Sequence, residues 1–341
     1  YLKSDTMSLT EKTSELLPWM KEDFRQLVAL KESNKLAHAY LFGGQQGLGK
    51  LLLAKYFSHY LLCSNTRGND VCGECRECQL LSAGTHPDLK VIQPEDSSEI
   101  KIQQVRETIN FISQTSQRGG YKIIIIEPAE ALNTNSANAL LKVLEEPSDN
   151  TLLILVSHQP ALLMATIRSR CHLKKFNRPS PELSIPWLES KNVRAPAAEL
   201  LRIANNIPLR ALHFADDDAL HDRSVLHAVL EKLLQGQMNI AEAADQCEHY
   251  SLEDNIEALM LCSSDILIHN QMGPANSESP LYDHDLKSLA DFFQSGTRLK
   301  ALHKFYQELL TARRVINSTS NPNRMLVLES LFFNWASIAR Q

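Results

Sequence analysis

Through the first half of the chain, short apolar runs alternate with longer stretches in which apolar positions recur at helical spacing. The short runs are Ala39–Phe42, Leu89–Gln93, Lys122–Glu127, Leu152–Ser157 and His172–Phe176. Their near-continuous hydrophobicity predicts strands of a parallel sheet covered on both faces. Helical stretches are predicted between them over Leu51–Leu62, Ala161–Ile167 and Asn135–Glu146, the last rich in Ala and Leu and stopped by Pro147. Strand and helix in alternation predict an α/β domain to about residue 176. Beyond Arg178-Pro179-Ser180-Pro181 the strand pattern ends. One helical face then collects Leu226, Val229, Leu230 and Leu233, a second Leu299, Leu302, Tyr306 and Leu309, and a third Leu328, Leu331, Phe332 and Trp335. Such stripes are chiefly the core of an all-α region, with a minority left to face other subunits. The Ser-, Asn- and Pro-containing stretch from Gly273 to Pro280 is predicted to be a loop.

Length changes this picture little: 341 residues suffice for two or three domains, each with its own core. Charge changes it more. A net charge of −5 removes any chain-wide attraction to DNA or an anionic membrane, so such contacts must be local or made through partners. No apolar run reaches membrane-spanning length, and no basic-apolar signal pattern opens the chain, so a cytoplasmic protein is expected.

The candidate chemistry begins where the first strand meets the first long helical stretch. Gly44-Gln45-Gln46-Gly47-Leu48-Gly49-Lys50 follows the phosphate-loop pattern, with Gly44, Gly47, Gly49 and Lys50 as the nucleotide-contacting candidates. The next residue of that pattern is a Ser or Thr that ligates Mg²⁺; here it is Leu51. The run Ile123-Ile124-Ile125-Ile126-Glu127-Pro128 is a buried strand ending in one acid where an ATPase needs two, and Pro128 cannot take a proton. The chain is therefore expected not to hydrolyse ATP by itself. Binding of ATP or ADP is a separate question, and a glycine-rich turn kept for strand-to-helix packing would give the same pattern without a ligand.

Four of the seven cysteines form Cys63-x8-Cys72-x2-Cys75-x2-Cys78. Thiolates at this spacing converge on one ion and close it against water, which predicts a structural zinc site. A disulfide and an iron–sulfur cluster are the alternatives; a reducing compartment opposes the first, and the missing Cys-Pro opposes the second. Cys171, Cys247 and Cys262 sit in apolar contexts and are expected to be buried and inert. His86 in Gly84-Thr85-His86-Pro87-Asp88 fits a turn better than a catalytic role. Ser169-Arg170-Cys171 follows the fourth strand and a helical stretch, a place from which an arginine can project from the domain. On chemistry alone Arg170 is one exposed arginine beside another, Arg168.

Together these residues resemble the AAA+ clamp-loader family. His38-Ala39-Tyr40-Leu41-Phe42-Gly43-Gly44 is similar to the family's first strand and phosphate loop, and Asn138-Ala139-Leu140-Leu141-Lys142-Val143-Leu144-Glu145-Glu146-Pro147 to the helix after its second ATPase motif. Ser169-Arg170-Cys171 matches the motif whose Arg completes a neighbour's ATP site. The resemblance implies three domains: an AAA+ P-loop α/β domain over 15–174 with its zinc module at 63–78, a small helical lid over 175–214, and an all-α collar over 215–341. It implies a hetero-oligomer with motor and delta subunits that acts on a sliding clamp and primer-template DNA, away from membranes. Leu51, Pro128 and the segment Pro208-Leu209-Arg210-Ala211, where Leu209 stands in place of a motor's Arg, depart from the motors. The departures point to a member that gives Arg170 in trans and fires no ATP. Two other readings stand: an active motor in which Lys50 and Glu127 suffice, and a zinc-stabilised DNA-binding module with a vestigial P-loop. The acidic balance opposes the last.

Overall fold

The computed structural model describes residues 16–95, 99–113, 116–118, 120–216, 219–272, 286–316 and 323–340. The loop expected over Gly273–Pro280 lies outside them. The chain forms two compact units, one of residues 1–191 with 206–210, the other of 192–205 with 211–341.

The first unit is built on five parallel strands, β1 (Ala39–Gly43), β2 (Leu89–Ile92), β3 (Lys122–Ile126), β4 (Thr151–Ser157) and β5 (His172–Lys175), in the order β2-β3-β4-β1-β5. Register pairs Leu41 with Leu155 and Ile125 with Ile154, so apolar residues stack across the sheet. Because side chains alternate along a strand, the continuous runs feed two cores. Tyr40, Phe42, Ile123, Ile125, Leu152, Ile154 and Val156 pack on one face. Ala39, Leu41, Ile124, Ile126, Leu153 and Leu155 pack on the other. Helices α1 (Lys21–Glu32) and α2 (Lys50–Leu62) contribute Phe24, Leu27, Leu53 and Phe57 to the first face. The short α3 (Arg76–Ser82) follows α2; the candidate metal ligand Cys75 is its N-cap and Cys78 lies in its first turn. Helices α4 (Ile102–Ser113) and α5 (Thr134–Glu145) contribute Val105, Leu140 and Leu144 to the second face. Asn133 caps α5 by accepting a hydrogen bond from the Ser136 N–H.

Two sequence expectations need adjustment. The stretch Ala161–Ile167 is not one helix: a 3₁₀ turn (Pro160–Leu162) precedes a single helical turn, α6 (Ala165–Arg168), with Leu163 and Met164 extended between them. Leu163, 5% exposed, turns into the second-face core, and that burial breaks the helix. Strand β5 is an exposed edge rather than a covered strand; only Phe176, just beyond it, is buried. Helix α7 (Pro181–Glu189) closes the main run of this unit, with Trp187 edge-on to Trp19 at 5.0 Å.

The second unit is all-helical: α8 (Ala197–Ile203), the later part of α9 (Pro208–Asp216), α10 (Ala219–Leu234), α11 (Ile240–Gln246), α12 (Leu252–Met272), α13 (Lys287–Phe292), α14 (Gly296–Ile316) and α15 (Arg324–Ser337). The three predicted stripes meet in its core, where Leu230, Leu302, Leu309, Leu328, Phe332 and Trp335 are fully buried. The Trp335 indole N–H donates to the Leu230 carbonyl at 3.0 Å, which satisfies its one polar atom inside that core. Asn239 and Glu242 form a capping box at the start of α11. Among the described residues no helix is long and apolar enough to cross a membrane.

Candidate functional site

The loop from Gly44 to Lys50 lies between β1 and α2, and its N–H of Gly44 donates to the Ser157 carbonyl at the end of β4. Gly47 (φ 80°) and Gly49 (φ 89°) adopt left-handed backbone that glycine alone takes cheaply. Space makes the same demand. A Cβ on Gly47 would lie 2.7 Å from Ile207 Cγ2, and one on Gly49 would collide with Leu17 Cδ1. Leu209 also approaches Gly49, and the Trp19 indole N–H donates to the Leu48 carbonyl at 3.0 Å. Lys50 is 2% exposed, and its ammonium donates to the loop's own Gln45 carbonyl at 2.5 Å. Arg178 Nε donates to the Gln45 side-chain oxygen at 2.7 Å. Leu51, in the place of a Mg²⁺ ligand, is buried in the first-face core. The loop keeps a phosphate-binding shape, while its lysine and its flanks are engaged by groups of this chain.

At the end of β3, Glu127 is 1% exposed and accepts a hydrogen bond from Gln93 Nε2 at 2.6 Å. His158 Nε2 lies 3.6 Å from its other oxygen, too far for a hydrogen bond. Burial, reinforced by the nearby Lys50 charge, lowers the His158 pKa to about 3, so the ring is neutral and the contact is not an ion pair. The next acid along the chain is Glu130, and its Oε1 accepts the His158 and Gln159 backbone N–H groups at 2.8 and 3.1 Å. Glu130 thus holds the turn after β4 in place. Gln45, Gln93 and Glu130 carry no motif of their own, and only their contacts reveal them.

His59, on the buried face of α2, behaves like His158: burial, then the Lys55 and His86 charges, lower its pKa to about 4. Both rings are neutral in the folded protein and take a proton near pH 6.5 once unfolded. Folded pKa values below the unfolded one mean that stability falls as pH drops from about 6.5 toward 4. Each ring contributes at most about 1.4 kcal/mol per pH unit, so about 2–3 kcal/mol is lost between pH 7.5 and 5.5. Urea unfolding at the two pH values, followed through Trp19 and Trp187 in a Trp335→Phe background, measures this. A flat profile would contradict it.

The Ser-Arg-Cys segment has a division of labour. Ile167, fully buried, and Cys171, half-buried, pack into the second-face core alongside Leu140 and Leu144 of α5. Ser169 Oγ donates to the Thr166 carbonyl at 3.1 Å and closes the end of α6. With its neighbours anchored, Arg170 is left on the surface. Its guanidinium reaches Glu145 Oε1 at 2.7 Å through Nη2, and the Thr166 carbonyl at 2.9 Å through Nη1. Glu145 belongs to a segment the sequence singles out, but nothing in the spacing links it to Arg170. Of the three remaining cysteines, Cys247 and Cys262 are buried as expected, whereas Cys171 is only half-buried, because it sits at the rim of the second-face core. Burial raises the Cys171 thiol to about 12 and the Cys247 thiol to about 11, and Cys262 is 1% exposed.

The other four cysteines converge. All their sulfurs lie within 4.8 Å of one another, with Cys63–Cys72 at 3.6 Å, Cys72–Cys78 at 3.8 Å and Cys63–Cys75 at 4.0 Å. Disulfide sulfurs would be about 2.05 Å apart, so these thiols are unbridged. Ligands about 2.3 Å from one tetrahedral ion lie about 3.8 Å from each other, and the cluster has that size. It leaves no space for a second iron and its sulfides. Backbone N–H groups of Cys75 and Cys78 donate to the Cys72 and Cys75 sulfurs at 3.3 and 3.4 Å. The first of these, with the Glu74 N–H, lowers the Cys72 pKa. At Cys75 burial acts upward, but hydrogen bonds from Ser64 and Cys78 outweigh it and bring the thiol to about 6. The module is also tied to the sheet. Glu77 of α3 meets His86 Nε2 at 3.0 Å and Arg118 at 3.0 Å. Buried Asp88 accepts from the Gln117 and Arg118 N–H groups, both at 3.0 Å, and its own N–H donates to His86 Nδ1 at 3.1 Å. His86 is therefore a structural turn residue.

The geometry agrees with comparisons to known proteins. A family model described as DNA polymerase III, delta subunit, matches residues 19–180, and one described as its C-terminal part matches 217–337. The DNA polymerase III subunit delta′ of Pseudomonas aeruginosa is 35% identical over 329 residues, 95% of this chain and 98% of that protein. The Yersinia pestis subunit delta′ is 31% identical over 93% of this chain and 94% of its own length. For Escherichia coli the figures are 36% identity, 61% and 64%. With a parallel α/β unit, a four-cysteine cluster and a helical unit in the same chain, this protein belongs to the delta-prime family of DNA polymerase III subunits, within the clamp loaders.

Proposed function

We propose that this chain is the non-hydrolysing stator subunit of the bacterial DNA polymerase III clamp loader, and that it gives Arg170 to the ATP site of an adjoining motor subunit. The observation that carries the first half is the engaged phosphate loop. Lys50 is buried against the Gln45 carbonyl, with Ile207 and Leu17 packed on the glycines. A nucleotide's phosphates would have to break the Lys50 contact, and neither Leu51 nor Pro128 could then support Mg²⁺ or activate water. Gly44, Gly47, Gly49 and Lys50 are in this reading the remnant of a nucleotide site.

Cys63, Cys72, Cys75 and Cys78 would hold one structural zinc ion, which when bound fixes the loop-rich segment between α2 and β2. The first-unit strands and helices through residue 174 form the AAA+ domain, 175–214 the lid and 215–341 the collar that meets motor and delta subunits. Through that assembly the chain takes part in placing a sliding clamp on primer-template DNA in the cytoplasm. The guanidinium of Arg170 would neutralise charge developing on the neighbour's γ-phosphate, a role for which a planar fork of donors is suited.

The stator assignment is tested on the chain by itself, with Mg²⁺ and ATP at millimolar concentration. The expected result is no turnover above background and no change on Lys50→Ala. Turnover abolished by Lys50→Ala would install the motor reading in its place.

A further inference from the structure

Glu145 is the last residue of α5, where the negative end of the helix disfavours a carboxylate. Glu146 follows it, so two acids sit where local electrostatics would select cations. What offsets this at Glu145 is Arg170, whose Nη2 meets its carboxylate at 2.7 Å. The other terminal nitrogen meets the Thr166 carbonyl at 2.9 Å and lies 3.5 Å from Ser169 Oγ. The guanidinium thus lies between the C-terminal residue of α5 and a carbonyl of α6, gripped from both. Both helices are fixed by the second-face core without help from this pair, α5 through Leu140 and Leu144 and α6 through Ile167.

We propose that Glu145 is a positioning residue for Arg170, setting the direction in which the guanidinium is presented to the neighbouring subunit's nucleotide. This rests on Arg170 being the finger of the preceding section. An arginine held at one point only would spread over many rotamers on an exposed surface and would have to be ordered in each catalytic cycle. Held by Glu145 and the Thr166 carbonyl, it presents a fixed fork. A guanidinium carries five N–H donors, more than these acceptors use, so the grip is compatible with an incoming phosphate. The pair is partly exposed, 36% for Arg170 and 50% for Glu145, and it is an exposed pair in strength as well.

The test is a double-mutant cycle in the rebuilt loader, with wild type, Glu145→Gln, Arg170→Ala and the double variant compared in clamp- and DNA-stimulated ATP hydrolysis. Glu145→Gln keeps shape and removes charge at an exposed position, so folding is preserved; equal assembly of all four is checked by gel filtration. The expected result is a kcat lowered about fivefold by Glu145→Gln, with KM for ATP unchanged, because a finger acts in the transition state. In the Arg170→Ala background Glu145→Gln should do nothing more. If Arg170→Ala slows hydrolysis but Glu145→Gln has no effect, or an equal effect in both backgrounds, the positioning role is overturned and the finger stands. Faster hydrolysis in Glu145→Gln would make Glu145 a restraint and equally overturn the proposal. If Arg170→Ala changes nothing, the finger falls and the positioning role with it.

Discussion

With Arg170 as the proposed finger, Arg170→Ala in the assembled loader is expected to lower ATP turnover at the adjoining motor site by about 10³-fold or more, with assembly and ATP binding by the motor unchanged. The magnitude is that of a trans-acting arginine finger, worth about 10³–10⁵ in rate because it meets charge that exists only in the transition state. The local structure sharpens the prediction. Ile167 and Cys171 anchor the segment in the core and Ser169 closes α6, so removing the Arg170 side chain beyond Cβ disturbs no buried contact. Surface contacts to Glu145, the Thr166 carbonyl and Ser169 Oγ are lost, and an exposed ion pair contributes about 0–1 kcal/mol to stability. A large kinetic loss without a folding loss is therefore the signature. Arg170→Lys should recover little of it, since an ammonium is a point charge and cannot fork across two phosphate oxygens. Single-turnover hydrolysis by the rebuilt complex, with ATP binding measured in parallel, reads out both halves. Unchanged turnover would leave Arg170 an ordinary surface residue and the chain a scaffold.

What made the fold legible in the sequence was burial on two faces. Ile123 to Ile126 are apolar without interruption because each successive side chain enters a different core, and no amphipathic strand would read that way. The helical stripes were legible for the complementary reason: Leu328, Leu331, Phe332 and Trp335 recur at helical period because one core takes them all. The pattern failed where tertiary packing overrode local preference. Leu163 sits in a run that reads as helix, yet its pocket lies off the helical path, and β5 carries Lys174 and Lys175 because an edge strand need not be apolar. At the site, deviations from a motif were informative and contacts were not. Leu51 and Pro128 are visible as wrong letters, whereas Gln45 accepting from Lys50 and Arg178 is a fact of distance alone. Glu145 and Arg170 are brought together by the packing of α6 on α5, which no spacing rule encodes.

Removing the metal from the cysteine module, or replacing Cys78 by Ser, should unfold residues 63–82 while leaving the sheet intact. The module has almost no core of its own: Cys72, Cys78 and Leu81 are buried, and most of the residues between Cys63 and Arg76 are exposed or half-exposed. Helix α3 is seven residues long, far below the length at which a helix persists alone. A closed thiolate site contributes an apparent 10–16 kcal/mol at neutral pH, more than any hydrophobic contact here could replace. The sheet, by contrast, is held by two cores to which the ligand sulfurs contribute nothing. The two regions meet at Glu77, which reaches His86 and Arg118 from within α3, and at Leu81, which packs in the first-face core. Loss of α3 would leave His86 buried without its acid and withdraw Leu81 from the rim of the first-face core, so the disturbance should extend to the turn before β2 and to that rim, and stop there. Hydrogen exchange on the purified chain, before and after chelation, maps it: amides of 63–82 should exchange about 10³-fold faster or more, and those of β1, β3 and β4 should not change. Metal analysis of the untreated chain should find one zinc per molecule. Iron with inorganic sulfide, or a module that keeps its protection after the metal is gone, would sink the assignment, and a sheet that melts with the module would mean that the Leu81 contact makes α3 indispensable to the first-face core.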